Sequence, residues 1–149
     1  MQRRTFLLGS AAALLLPLPA VAEANYRATL YKNPQCMCCE GYADYLRKNG
    51  FTVEVKPTND LTEISRKAGV PESLEGCHTM FVEGYPYVID GHVPIEVVRK
   101  LLSEKPAIAG ITLPGMPTGS PGMPGKKTEK FVIYAFGNGG ANPTVYATI

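Results

Sequence analysis

The chain has 149 residues, 45% hydrophobic and 19% charged, with four Cys and no Trp, a balance that argues against a disordered tail or a repeat array and for one globular domain. Its formal charge of +2 is spread along the sequence rather than gathered in a basic stripe, which argues against nucleic acid as a partner. Without Arg3 and Arg4, acidic and basic residues balance.

The amino terminus has a charged start, an apolar middle from Ala11 to Leu16 and a small-residue end at Ala20-Val21-Ala22. This profile predicts a signal peptide over residues 1–22, cleaved after Ala22. Arg3-Arg4-Thr5-Phe6-Leu7 fits the twin-arginine pattern of a route that exports folded proteins. Gly9, Pro17 and Pro19 interrupt the apolar stretch, which falls short of the ~20 residues a membrane span needs. The expectation is a mature chain of residues 23–149 in the periplasm, with no membrane span. That compartment is oxidising, so the four thiols are expected to be bridged in pairs or held by a metal.

In the mature chain, Tyr26–Tyr31 alternates like a short strand and runs into Asn33 and Pro34. Cys36-Met37-Cys38-Cys39 follows, and from Glu40 to Asn49 the apolar positions Tyr42, Tyr45 and Leu46 share one helical face, with Gly50 as the stop. Phe51–Val55 reads as a second strand, parallel to the first by the right-handed crossover rule. Asp60 and Glu63 form a capping-box signature for a short helix through Ala68. Thr79–Val82 and Tyr87–Ile89 read as a hairpin through Glu83-Gly84-Tyr85-Pro86. Pro94 suits the first turn of a last helix carrying Ile95, Val98 and Leu102, which Pro106 terminates.

The predicted order, β-α-β-α-β-β-α, is that of an α/β thioredoxin-like architecture. A Pro/Gly/Met-rich loop follows, Leu113 to Gly125, in which Pro-Gly-Met-Pro occurs twice and which excludes helix and central strand. Lys130–Phe136 reads as a further strand, and Asn138-Gly-Gly140 with Val145-Tyr146 as a terminal hairpin.

Three spacings are nested in Cys36, Cys38 and Cys39. The C-x-x-C pair at the mouth of a helix is a redox arrangement, because unpaired amide donors there stabilise a thiolate. A two-cysteine oxidoreductase needs no third thiol, so Cys38 is the excess to explain. Crowded thiols are soft donors suited to Cu(I), zinc or iron–sulfur clusters. Zinc knuckles and ferredoxin spacings are absent, whereas several Cu(I) ions bridged by shared sulfurs would use the crowding. Cys77 and His78, ahead of the third strand, are expected to approach the triple-cysteine turn. His92 is read as capping the last helix or packing under it, Met80 as core, and Met37, Met116 and Met123 as possible outer thioether donors.

Cys36-Met-Cys-Cys39, Cys77-His78-Thr79, Gly84-Tyr85, Gly91-His92-Val93-Pro94 and the 114–123 segment together resemble the CopG-like family of exported copper proteins. The resemblance spans about residues 26–125. It implies a thioredoxin-like fold, an envelope location, and copper held by Cys36, Cys38, Cys39, Cys77 and His78 in the service of copper resistance. It also implies a coupling of copper binding to redox change, with copper donor or acceptor proteins of the envelope as partners.

Two other readings stay open at this level. One is a thiol–disulfide oxidoreductase using Cys36 and Cys39, against which stands the absence of a Pro after Thr79. The other is an interaction domain stapled by two disulfides, a common use of four Cys in an exported chain.

Overall fold

The computed structural model describes residues 25–137 and 142–149. The expected leader, 1–22, and the expected turn at 138–140 lie outside the described residues.

The elements are β1 (Tyr26–Lys32), α1 (Met37–Lys48), β2 (Phe51–Pro57), α2 (Leu61–Lys67), β3 (His78–Val82), β4 (Val88–Gly91), α3 (Ile95–Glu104), β5 (Gly110–Leu113), β6 (Val132–Phe136) and β7 (Thr144–Thr148), with a 3₁₀ turn at Glu72–Leu74. The result is a mixed α/β fold, three α-helices on a seven-stranded sheet ordered β2-β1-β3-β4-β5-β6-β7. β1 and β2 are parallel, as expected of strands joined by a helix, and β3 runs antiparallel to both β1 and β4.

Side chains alternate across the sheet and divide the apolar residues into two cores. Leu30, Met80, Ile89, Ile111 and Ile133 join Tyr42 and Leu46 of α1 and Val98, Leu101 and Leu102 of α3 in the larger one. Val88 and Phe136 form a smaller cluster with Val70, which follows α2. Each large apolar side chain buried in this way contributes roughly 1.5–3 kcal/mol.

The structure departs from the sequence expectations at three places. β5 was not foreseen: its four residues are all buried and pair parallel with β4, so an unassigned stretch together with Leu113, expected to open the Pro/Gly/Met-rich loop, forms an interior strand. Such a strand carries no alternation because both faces are covered. Asp60 precedes α2 but its side chain makes no capping bond; instead its own N–H donates to the Thr58 hydroxyl at 3.0 Å. Pro94 sits one position ahead of α3, where its carbonyl accepts from the Val97 and Val98 amides.

Candidate metal centre

The ladders explain why chain segments so far apart meet. Lys32, the last residue of β1, pairs with His78, the first of β3, so the turn leading to α1 is set beside Cys77. Thr79 pairs with Asp90, Met80 with Ile89 and Phe81 with Val88; continuing that register outward puts residue 77 opposite residue 92. Cys36 caps α1 with extended backbone, and Cys38 and Cys39 lie in its first turn.

Two overlapping groups result, Cys36, Cys38, Cys39 and Cys77, and Cys39, Cys77, His78 and His92, in each of which the donor atoms lie within 4.8 Å of one another. All five residues expected from the sequence are therefore gathered, and His92 joins them. Cys36 and Cys39 are joined by a disulfide, while Cys38 and Cys77 are free. Of the two bridges in the stapled reading, one is formed. Cys38 Sγ is 3.4 Å from Cys36 Sγ, and Cys77 Sγ is 3.4 Å from Cys39 Sγ. Bridged Cys39 has no proton to donate, so the latter is a sulfur–sulfur contact and not a hydrogen bond.

The imidazoles close the other side. His92 Nε2 lies 3.0 Å from Cys77 Sγ, and its Nδ1 meets the Pro121 carbonyl. A carbonyl only accepts, so Nδ1 carries the proton and Nε2 offers a lone pair to the sulfur. His78 Nδ1 is 3.6 Å from Cys77 Sγ, and its buried Nε2 has no hydrogen-bond partner among the described residues. The His78 ring stacks on Tyr42 at 4.6 Å, and the Tyr42 hydroxyl donates to the Val93 carbonyl at 2.8 Å.

No curated protein matches the sequence. Residues 74–123 match the family described as "Protein of unknown function, DUF411". Two solved structures, "Copper resistance protein copG- Form 1" and "Copper resistance protein copG- Form 2", match with a TM-score of 0.74 at 29% identity, covering 84% of this chain and 98% of theirs. These matches support a CopG-like family for the chain.

In this CopG-like chain the Pro/Gly/Met-rich loop is a structural part of the centre. Gly122 has φ +84, and a Cβ there would come 2.5 Å from the Tyr42 backbone nitrogen and 2.8 Å from the Cys38 carbonyl oxygen. Only glycine permits both that backbone and that approach, which docks the loop on α1 and brings Pro121 to His92. The methionines are placed less uniformly. Met80 is core, Met123 is half-buried, and Met37 and Met116 are 77% and 38% exposed.

Burial sets the electrostatics of the CopG-like centre. It pushes the Cys77 thiol up to about 12, with neighbouring Cys38 adding to the shift. It also holds His78 well below the usual imidazole range, with His92 contributing, and lowers His92. Both rings are therefore neutral at pH 7 and able to donate lone pairs. Beneath them Asp90, fully buried, accepts from the Gly76 amide and from the Thr79 hydroxyl at 2.8 Å, pinning the segment that leads to Cys77. Burial raises Asp90 to about 6, which the Thr79 and Gly76 hydrogen bonds moderate. On the other flank the buried Lys32 ammonium donates to the carbonyls of Asn33, Pro34 and Cys36 and pairs with Glu40 at 3.1 Å. Neither Asp90 nor Lys32 was singled out from sequence, because a lone charged residue in a strand reads as solvent-facing until the sheet is assembled.

Proposed function

We propose that the protein is a periplasmic copper-binding protein of thioredoxin-like architecture, which captures Cu(I) as cargo through Cys36, Cys38, Cys39 and Cys77, with His78 and His92 as nitrogen donors. The observation that carries this reading is the convergence of four sulfurs and two neutral imidazoles, from three separate segments, within a few ångströms. Such a soft donor set suits Cu(I). His78 leaves its buried Nε2 without a hydrogen-bond partner among the described residues and brings Nδ1 to 3.6 Å from the Cys77 sulfur, which suits a ring available to a metal. Reducing the Cys36–Cys39 bridge frees the remaining two sulfurs, so full capacity belongs to the reduced protein.

The strand neighbours β2-β1-β3-β4, with β3 antiparallel, support the thioredoxin-like reading. No described helix is long and apolar enough to cross a membrane. The periplasmic assignment rests on residues 1–22, read as a twin-arginine leader cut after Ala22, ahead of a single domain over 23–149. Lysine at Arg3 and Arg4 should retain the chain in the cytoplasm on cell fractionation. Titration of the reduced protein with Cu(I) tests the binding reading. Uptake no greater than that of the variant with all four Cys changed to Ser would discard it.

The Cys36–Cys39 bridge favours a second reading, a thiol–disulfide oxidoreductase. Reduction of insulin disulfides by the metal-free dithiol form, at rates typical of dedicated redox proteins, would establish it over the first.

A further inference from the structure

The bridge has a free thiol in contact with each end, Cys38 against Cys36 and Cys77 against Cys39, both at 3.4 Å. Only the second of these thiols has a base. His92 Nε2 lies 3.0 Å from Cys77 Sγ, and the Pro121 carbonyl holds Nδ1–H so that the lone pair faces the thiol. Cys77 rests as a thiol, so its attack depends on a base within hydrogen-bond reach that a third group orients, and His92 held by Pro121 meets that geometry. The leaving sulfur is favourably placed too. Cys36 caps the twelve-residue α1, whose unpaired first-turn amides stabilise a thiolate.

We infer that Cys77 and His92 form a nucleophile–base pair that moves the disulfide, in the metal-free protein, from Cys36–Cys39 to Cys39–Cys77. His92 Nε2 takes the Cys77 proton and the thiolate attacks Cys39 Sγ. The Cys39–Cys77 bond forms as the Cys36–Cys39 bond breaks, and the electron pair leaves on Cys36 Sγ, which then takes the proton from His92. One disulfide and two thiols stand on each side, so no oxidant or reductant takes part. The exchange has a directional consequence. Cys39 is fully buried whereas Cys36 and Cys77 are both half-buried, so the buried sulfur stays in the bridge and a C-x-C dithiol, Cys36 with Cys38, is freed. This step does not depend on the copper reading.

The test uses chelator-treated protein carrying the single bridge, alkylated with N-ethylmaleimide over a time course, digested, and mapped by mass spectrometry for labels and bridges. Label accumulating on Cys36, together with a Cys39–Cys77 linked peptide, is the expected result. It should persist in Cys38→Ser, vanish in Cys77→Ser, and appear at least about tenfold more slowly in His92→Gln, as loss of a general base requires. Label confined to Cys38 and Cys77 with the Cys36–Cys39 bridge intact overturns the inference. So does Cys36 labelling that survives in Cys77→Ser, which would assign the exchange to Cys38. Circular dichroism checks that each variant is folded. Should His92→Gln fail to fold, diamide oxidation of Cys36→Ser decides: a Cys39–Cys77 bridge supports the exchange, and a bridge to Cys38 in its place refutes it.

Discussion

His92 and Cys77 face each other at 3.0 Å, ring nitrogen to sulfur, because the β3–β4 ladder, continued past its last pair, sets their positions opposite. The contact joins the residue after β4 to the residue before β3, so the hairpin that builds the sheet also fixes the centre. The Pro121 carbonyl then decides which nitrogen His92 presents.

Replacing His92 by Gln keeps a polar side chain of similar length but removes the imidazole lone pair. Cu(I) affinity, measured by competition with a chromophoric chelator, is expected to fall at least about 10-fold, since loss of even a ligand's hydrogen-bond partner costs about 10- to 100-fold. An unchanged affinity would place His92 outside the metal's reach.

Gly122→Ala puts a methyl group against the Tyr42 nitrogen and the Cys38 carbonyl, at a residue whose φ is +84. The cost should be about 1–3 kcal/mol in chemical denaturation of the metal-free protein. The same substitution at Gly115, also at positive φ but with open space around its Cβ, should leave the metal affinity unchanged, whereas Gly122→Ala lowers it by loosening Pro121 from His92.

Lys32→Met removes a buried ammonium that satisfies the carbonyls of Asn33, Pro34 and Cys36. The Asn33 carbonyl keeps the Cys36 amide as a donor but the others lose the ammonium, and a loss of about 1–3 kcal/mol is expected in urea unfolding. Faster alkylation of Cys38 should accompany it, since the turn that shapes the cysteine run is no longer anchored. Wild-type stability together with a wild-type labelling rate would show the anchor to be dispensable.

The metal-free protein should carry two opposing pH dependences. Asp90 titrates at about 6 when folded, above its ordinary value of 3.8, so the unfolded chain ionises first and stability from this group is lost as pH rises from about 4 to about 6. His78 and His92, held below 6.5, act the other way: the unfolded chain protonates first, and stability is lost as pH falls below 6.5. Asp90→Asn removes the first effect only. The difference in unfolding free energy between wild type and Asp90→Asn should therefore change by about 3 kcal/mol between pH 4 and pH 7, from about 2 pK units at 1.36 kcal/mol each. A pH-independent difference would show that Asp90 is not desolvated.

Much of this centre can be read along the chain because its chemistry is concentrated in short runs. Cys36-Met-Cys-Cys39 announces itself by composition, and its place between β1 and α1 follows from a strand pattern meeting a helical one. Cys77-His78 was linked to it only through the expected fold. His92 could have been found by the same means: once Thr79–Val82 and Tyr87–Ile89 are paired, the register carries position 77 to position 92. β5 had no such signal, since four residues buried on both faces offer no period to detect.

Residue order by itself determined which donors exist, the elements on which they ride and the parallel pairing of β1 with β2, because these depend on local periodicity and on a helix joining the two strands. The tertiary structure alone decided that His92 faces Cys77, that Pro121 fixes its tautomer, that Gly122 docks against α1, and that Lys32 and Asp90 are buried beside the sulfurs. Those outcomes turn on how separate elements pack together, where close packing and desolvation act across the sheet and leave no trace in the pattern of neighbours along the chain.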